Sequence, residues 1–226
     1  MDKKVKEEEK IEKEVSGLIS ENRVIGFSDA VFAFAATLLV LKIDLPTIAP
    51  GNFSNDFVHA LTSLWPQYLA NIISFLVIGY YWLNHHAIFG LVKTYNSTIV
   101  WINIIFLIFL SFLPFPVDLY GDYFTTPIVV VFYSASLALV GYILALIWWY
   151  ASASHRLINP ELSNKSINYY LVRILVAPVV FTLSIPLVYI HPAIAQISWL
   201  FILVATIAVN KTFKMKKVSE IEKNSL

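Results

Sequence analysis

The sequence predicts an all-α integral membrane protein with six transmembrane helices per subunit, and three observations predict it: composition, the length of the apolar runs and the placement of the cationic residues. Hydrophobic residues make up 58% of the 226-residue chain and charged residues 14%. That leaves too little polar surface to cover a soluble domain of this size. Six runs approach or exceed the roughly 20 residues that a helix needs to cross a hydrocarbon core about 30 Å thick. Every Lys and Arg except Lys42 falls in the N-terminal stretch, at Lys93, between Arg156 and Arg173, or from Lys211 onward. The alternate connections carry Asp44, Asp56, Asp118 and Asp122, so the positive-inside bias places both termini in the cytosol.

Residues 1–20 interleave Lys with Glu and lack the basic start and apolar core of a secretory signal, so they read as a charged cytosolic tail. Residues 21–210 read as the transmembrane domain and 211–226 as a basic cytosolic tail. The first span is 23–45. The second, 61–83, carries Pro66 a turn or so inside, where a kink is expected, and leads into YWLNHH. The third, 99–116, is apolar on every side, which fits a helix and not the alternation of a barrel strand. Pro114, Pro116 and Pro127 bracket an expected outer loop containing Gly121. The fourth span is 127–150, and the longest internal connection, about 151–166, is too short for a soluble domain. The fifth, 168–190, carries Pro178, a second expected kink, and Pro186 with Pro192 brackets a short turn into the sixth, 193–209. No internal duplication is visible, which argues against an inverted-repeat transporter.

Composition and motifs exclude several functions. The chain has no cysteine, which removes disulfides and thiolate chemistry. It shows no zinc-protease, phosphate-loop, dinucleotide or serine-hydrolase motif. The basic stretches mix with Glu, against nucleic-acid binding. No cofactor is predicted.

Asp29 is the anomaly of the first span, about two turns inside the helix. Arg23 is about 240° around the helix from it, so its partners must come from other spans. Topology brings Trp82, Asn84, His85, His86, Trp101 and Asn103 to a similar depth, with Arg173 as a further counter-ion, so one hydrogen-bonded cluster is expected. Such a cluster reads as helix glue, as a proton relay or as a metal site. Adjacent histidines point about 100° apart, which disfavours chelation. On the same helix Asp29, Ala33, Ala36 and Val40 form a small-residue stripe, and Ala30, Phe34, Thr37, Leu38 and Leu41 form a second stripe ending near Asp44. Taken alone, the second stripe reads as lipid-facing or core. Val140-Gly141-Tyr142 echoes a potassium-channel filter but sits mid-span without the flanking Thr and Gly, as a chance match.

Arg23-x-x-x-Phe27-Ser28-Asp29, with the Ala-rich run and Thr37-Leu38-Leu39-x-Leu41, resembles the transmembrane protein 175 family of endosomal and lysosomal potassium channels and their single-repeat prokaryotic relatives. The resemblance extends to Trp82-x-x-His85-His86-x-x-Phe89 and to Asn103 with Phe106, Leu107, Pro114 and Phe115. It implies a homotetramer whose first helix lines a pore constricted by bulky apolar side chains. Phe34 then falls at the constriction where Ile or Leu is usual, with Leu38 and Leu41 further outward and Thr37 beside them as a selectivity element. The Phe-Ser-Asp motif and its Trp and His contacts brace the pore helices.

The function expected is a potassium-permeable cation channel of the cell membrane, not an enzyme. Its partners are potassium ions, with sodium and protons as the other candidates, and the lipid bilayer. Asp44 rings draw cations to the outer mouth. The alternatives are a proton-permeable leak through Asp29 and His85, and a non-conducting membrane enzyme or accessory subunit.

Overall fold

A computed structural model describes residues 21–46 and 53–223. The elements in chain order are α1 Glu21–Val40, α2 Phe53–Ser63, α3 Trp65–Phe89, α4 Ser97–Phe112, α5 Pro114–Asp122, α6 Pro127–Ser152, α7 Asn164–Val188, α8 Pro192–Ser198 and α9 Phe201–Lys223. Among the described residues, six helical stretches are long and apolar enough to cross a membrane: Asn22–Val40, Trp65–Phe89, Ser97–Asp122, Pro127–His155, Asn164–Val188 and Pro192–Phe213. The expected tail at 1–20 lies outside the described residues. The expected C-terminal tail is largely helical, since α9 runs to Lys223.

Several local expectations change. Pro66 does not kink a helix; it sits in the first turn of α3, where its missing N–H costs nothing and its fixed φ favours the start. Residues 114–122 are not a loop. Pro114 opens α5 directly after α4, with Leu113 N–H bonded to Leu110 O at 3.1 Å and Val117 N–H to Leu113 O at 3.2 Å. The prolines interrupt the hydrogen-bond ladder without ending the span. The second span also begins later and runs longer than expected, to Phe89. The short helix α2 precedes it.

Asn96 caps α4 by accepting from Ile99 N–H at 3.0 Å, and Ser163 caps α7 by accepting from Ser166 N–H at 3.2 Å. On the charge-rich side, Val92 and Ile158 form an antiparallel bridge, and Lys93 N–H reaches Leu157 O at 2.7 Å. That bridge joins the connections before α4 and after α6.

Gly141 explains why α3, α6 and α7 pack so closely. A Cβ there would lie 2.8 Å from Tyr81 Oη and 2.9 Å from Pro178 Cβ and Cδ. Tyr81 in turn donates to Leu137 O at 2.9 Å, which satisfies its hydroxyl inside the core. The Val-Gly-Tyr string is thus an ordinary helix segment whose glycine admits a neighbouring helix.

Candidate functional site

Among the described residues, helix α1 is covered on one side only. It packs against α3, α4 and α5 through Ser28, Phe32, Ala35 and Leu39, all buried. The opposite side carries Ala30, Ala33, Phe34, Thr37 and Leu41, all exposed, with Phe34 62% exposed and Leu41 74%. Leu38 is half-buried between the two sides. The sequence alternates in this way because a step of two residues turns about 200° around a helix, which sends Phe32 inward and Phe34 outward. Of the small-residue stripe, Ala33 and Val40 are exposed while Asp29 and Ala36 are half-buried. The Thr37 hydroxyl donates back to its own helix, 2.9 Å from Ala33 O and 3.0 Å from Phe34 O.

The polar residues near Asp29 form two groups instead of the single cluster expected. The first is a buried chain in which His85 Nε2 lies 2.9 Å from Asn103 Oδ1, Asn103 Nδ2 donates to Ser28 Oγ at 2.9 Å, and Ser28 Oγ donates to Val24 O at 2.8 Å. It ties α3, α4 and α1 together. Around it His85 stacks on Phe89, with ring centroids 4.2 Å apart, and on Phe106 at 5.6 Å, and it meets Phe32 edge-on at 5.4 Å.

The second group is half-exposed: Trp82 Nε1 donates to Asp29 Oδ1 at 2.8 Å, and the exposed His86 leans on the Trp82 ring at 5.8 Å. Asp29 thus finds the tryptophan and not the imidazole of His85. Asn84 is buried but donates to Tyr80 O on its own helix, Trp101 is 64% exposed, and Arg173 makes no ion pair with a described residue. These three do not join the cluster. Arg23 and Phe27 are exposed on the open side of α1. No group of three or more metal-ligating side chains occurs among the described residues.

At the other end of α1, Asp44 is held, and Gln67 is the residue that sequence reasoning missed. Its Oε1 accepts from Asp44 N–H at 2.8 Å, and its Nε2 reaches Asp44 Oδ2 at 2.9 Å and Asp122 Oδ1 at 2.8 Å. One buried amide therefore fixes the segment after α1 to the ends of α3 and α5. Gly121 makes room for it, since a Cβ there would stand 3.2 Å from Gln67 Cγ. Lys42 reinforces the tie through an ion pair with Asp118 at 3.1 Å. A polar residue following Trp-Pro at a span's start, opposite acidic loops, is the signal that marks Gln67. A recess of about 570 Å³ opens beside it, lined by Asp44, Asp56 and His59 among others.

Comparison with known proteins follows the same residues. The family described as "Endosomal/lysosomal potassium channel TMEM175" matches residues 23–114, which hold α1, both polar groups and Gln67. A potassium channel of Chamaesiphon minutus is 33% identical over 149 residues, 65% of this chain and 73% of that protein. The endosomal/lysosomal proton channel TMEM175 of Mus musculus is 39% identical over 101 residues, 42% of this chain and 20% of that protein. The crystal structure of a lysosomal potassium-selective channel TMEM175 homolog from Chamaesiphon minutus superposes with a TM-score of 0.71 at 26% identity, covering 84% of this chain and 98% of that one. The match over residues 23–114, the 33% identity to a relative covered over 73% of its length and the shared helical fold lead to one conclusion: the chain belongs to the TMEM175 family.

Proposed function

We propose that this protein is a potassium-permeable cation channel of the cell membrane, with both termini cytosolic, in which α1 from each of four copies lines the conduction path and Phe34 constricts it. The observation that carries the reading is the open side of α1. A helix that lines a pore must leave one face uncovered by its own subunit, and this one leaves Phe34, Thr37 and Leu41 uncovered. The potassium-channel relatives support the ion. An apolar ring excludes water and resists ion entry, while Thr37 oxygens offer partial coordination and Asp44 raises local cation concentration. The Ser28, Asn103 and His85 chain holds the back of α1, so the open face keeps its orientation.

The test is flux through purified protein in vesicles with potassium, sodium and proton gradients imposed separately. Potassium flux that Phe34→Ala and Phe34→Asn both increase fits the proposal. No flux under any gradient, with the protein assembled, refutes a channel and leaves an accessory role.

A proton path is the second reading, and what favours it is the name of the mouse relative. Reversal potentials separate the two, since one follows the potassium gradient and the other follows pH. Asp29 and His85 belong to separate hydrogen-bonded groups here, so a relay through both would need an added bridge.

A further inference from the structure

The short helix α2 stands apart from the bundle. Its packing is slight and is mainly with α3, the helix that follows it. Leu64, at φ −81° and ψ 7°, separates the two. At about 100° per residue the side chains of α2 divide into two faces. Asp56, His59, Ala60 and Ser63 share one arc of about 100° and border the recess beside Asp44. Phe57, Val58 and Leu61 share a second arc of similar width, centred opposite the first. The subunit leaves this second face largely uncovered: Val58 is 68% exposed, Phe57 is exposed and Leu61 is half-buried. The hydroxyls that follow it are already bonded within the helix, Thr62 donating to Val58 O at 2.9 Å and Ser63 to Ala60 O at 2.8 Å. Neither brings an unmet donor into an apolar medium.

The level of α2 along the spans is set by α3. The span Trp65–Phe89 has 25 residues, a length of about 37 Å against a hydrocarbon core of about 30 Å, so its first turn lies in the headgroup region. Trp65 and Tyr123 are both exposed there, and the Trp65 ring meets Phe124 edge-on at 5.1 Å. Trp and Tyr at a span's end mark the border between membrane and water. Helix α2 ends at that border, one residue before Trp65.

We infer that α2 is an interfacial helix that docks Phe57, Val58 and Leu61 onto the lipid surface of the leaflet on the Asp44 side, with Asp56 and His59 left in water. A helix with one apolar and one polar arc binds the boundary between headgroups and acyl chains in this way. The level of the Trp65 and Tyr123 rings assigns the apolar face to the bilayer and not to a second copy. Helix α2 carries no Lys or Arg, so apolar area and not lipid charge supplies the attraction. The inference rests on the spans alone and is independent of ion conduction and of the number of copies.

The chain has no cysteine, so single cysteines placed at Asp56, Phe57, Val58, His59, Leu61 and Ser63 of the full chain each take a nitroxide label in phosphatidylcholine vesicles. Collisions with oxygen, which concentrates among acyl chains, are compared with collisions with a water-soluble nickel chelate. The oxygen-to-nickel ratio should be several-fold higher at 57, 58 and 61 than at 56, 59 and 63, and should not change when phosphatidylglycerol replaces part of the lipid. Val58→Asp, read with the label at 61, should bring that ratio toward the value at 59 while leaving the thermal midpoint in place. The six-position pattern of the parent decides the matter where Val58→Asp does not assemble. Nickel access at all six positions overturns the inference. So does exclusion of both collision partners from 57, 58 and 61, as when a second copy covers the face, a ratio that needs anionic lipid, or a ratio at 61 that Val58→Asp leaves unchanged.

Discussion

Phe32 and Phe34 are two residues apart on α1 and have opposite environments, 3% and 62% exposed. Phe32 touches His85 edge-on and meets the Phe106 ring at 5.6 Å, so Phe32→Ala should destabilise the subunit by about 3–5 kcal/mol. Its thermal midpoint in detergent should fall. Phe34→Ala removes a side chain that its own subunit leaves uncovered, and should change subunit stability by no more than about 0.5 kcal/mol while raising cation flux several-fold. A Phe34→Ala variant that assembles and conducts no better than the parent would place the pore elsewhere. Asn103 and Asp29 should also separate. Asn103→Ala leaves His85 and Ser28 without their partner inside the core, at roughly 1–3 kcal/mol each. Asp29→Ala frees a half-exposed Trp82 and should cost less. If the Asp29 variant were the less heat-resistant of the two, the buried chain would not be the main brace.

At the scale of elements, close packing depends on Gly141, on Gly121 and on the Gln67 amide. Gly141→Val would drive methyls into Tyr81 and Pro178, and overpacking of this kind costs about 1–3 kcal/mol. A Cβ added at Gly79 would meet nothing within 4 Å, so Gly79→Ala should be neutral or stabilising by roughly 0.5 kcal/mol. Paired melting curves for the two variants check the contrast, and equal losses would refute the α3, α6 and α7 contact. Gln67→Leu, which removes the amide shared by Asp44 and Asp122, should loosen the outer end of α1. Faster protease cleavage within 41–46 would report it.

For the whole molecule, the proposed orientation, with both termini cytosolic, rests on charge asymmetry across the spans. The chain has no cysteine, so single introduced cysteines report sidedness without background. A cysteine at Tyr123 should be labelled from outside intact cells and one at Asn164 protected. Labelling of Asn164 from outside would overturn the orientation. Assembly is a matter for mass measurement: the proposed channel requires four copies, and a stable monomer that conducts would contradict it.

What the sequence determined by itself was everything that depends on hydropathy and short motifs. The six spans follow from the length of apolar runs, because a helix is the structure that satisfies its own backbone in lipid. Arg23 through Asp29 with Trp82, His85, His86 and Asn103 mark the family, because a motif is local and survives without coordinates. Tertiary structure decided which of those groups meet. Asp29, His85 and Asn103 share a depth, but which pairs form depends on helix rotation, which a near-uniformly apolar span does not encode in its periodicity. The same blindness hid the Gln67 clamp, which needs three elements at one point, and made α5 read as a loop, because prolines that interrupt the hydrogen-bond ladder need not end a span. Asn84, Trp101 and Arg173 were placed by depth alone and were turned elsewhere by packing. The open face of α1 belongs to both levels: the two-residue step fixes which side chains oppose each other, and only the packing of α3, α4 and α5 decides which of those sides is left uncovered.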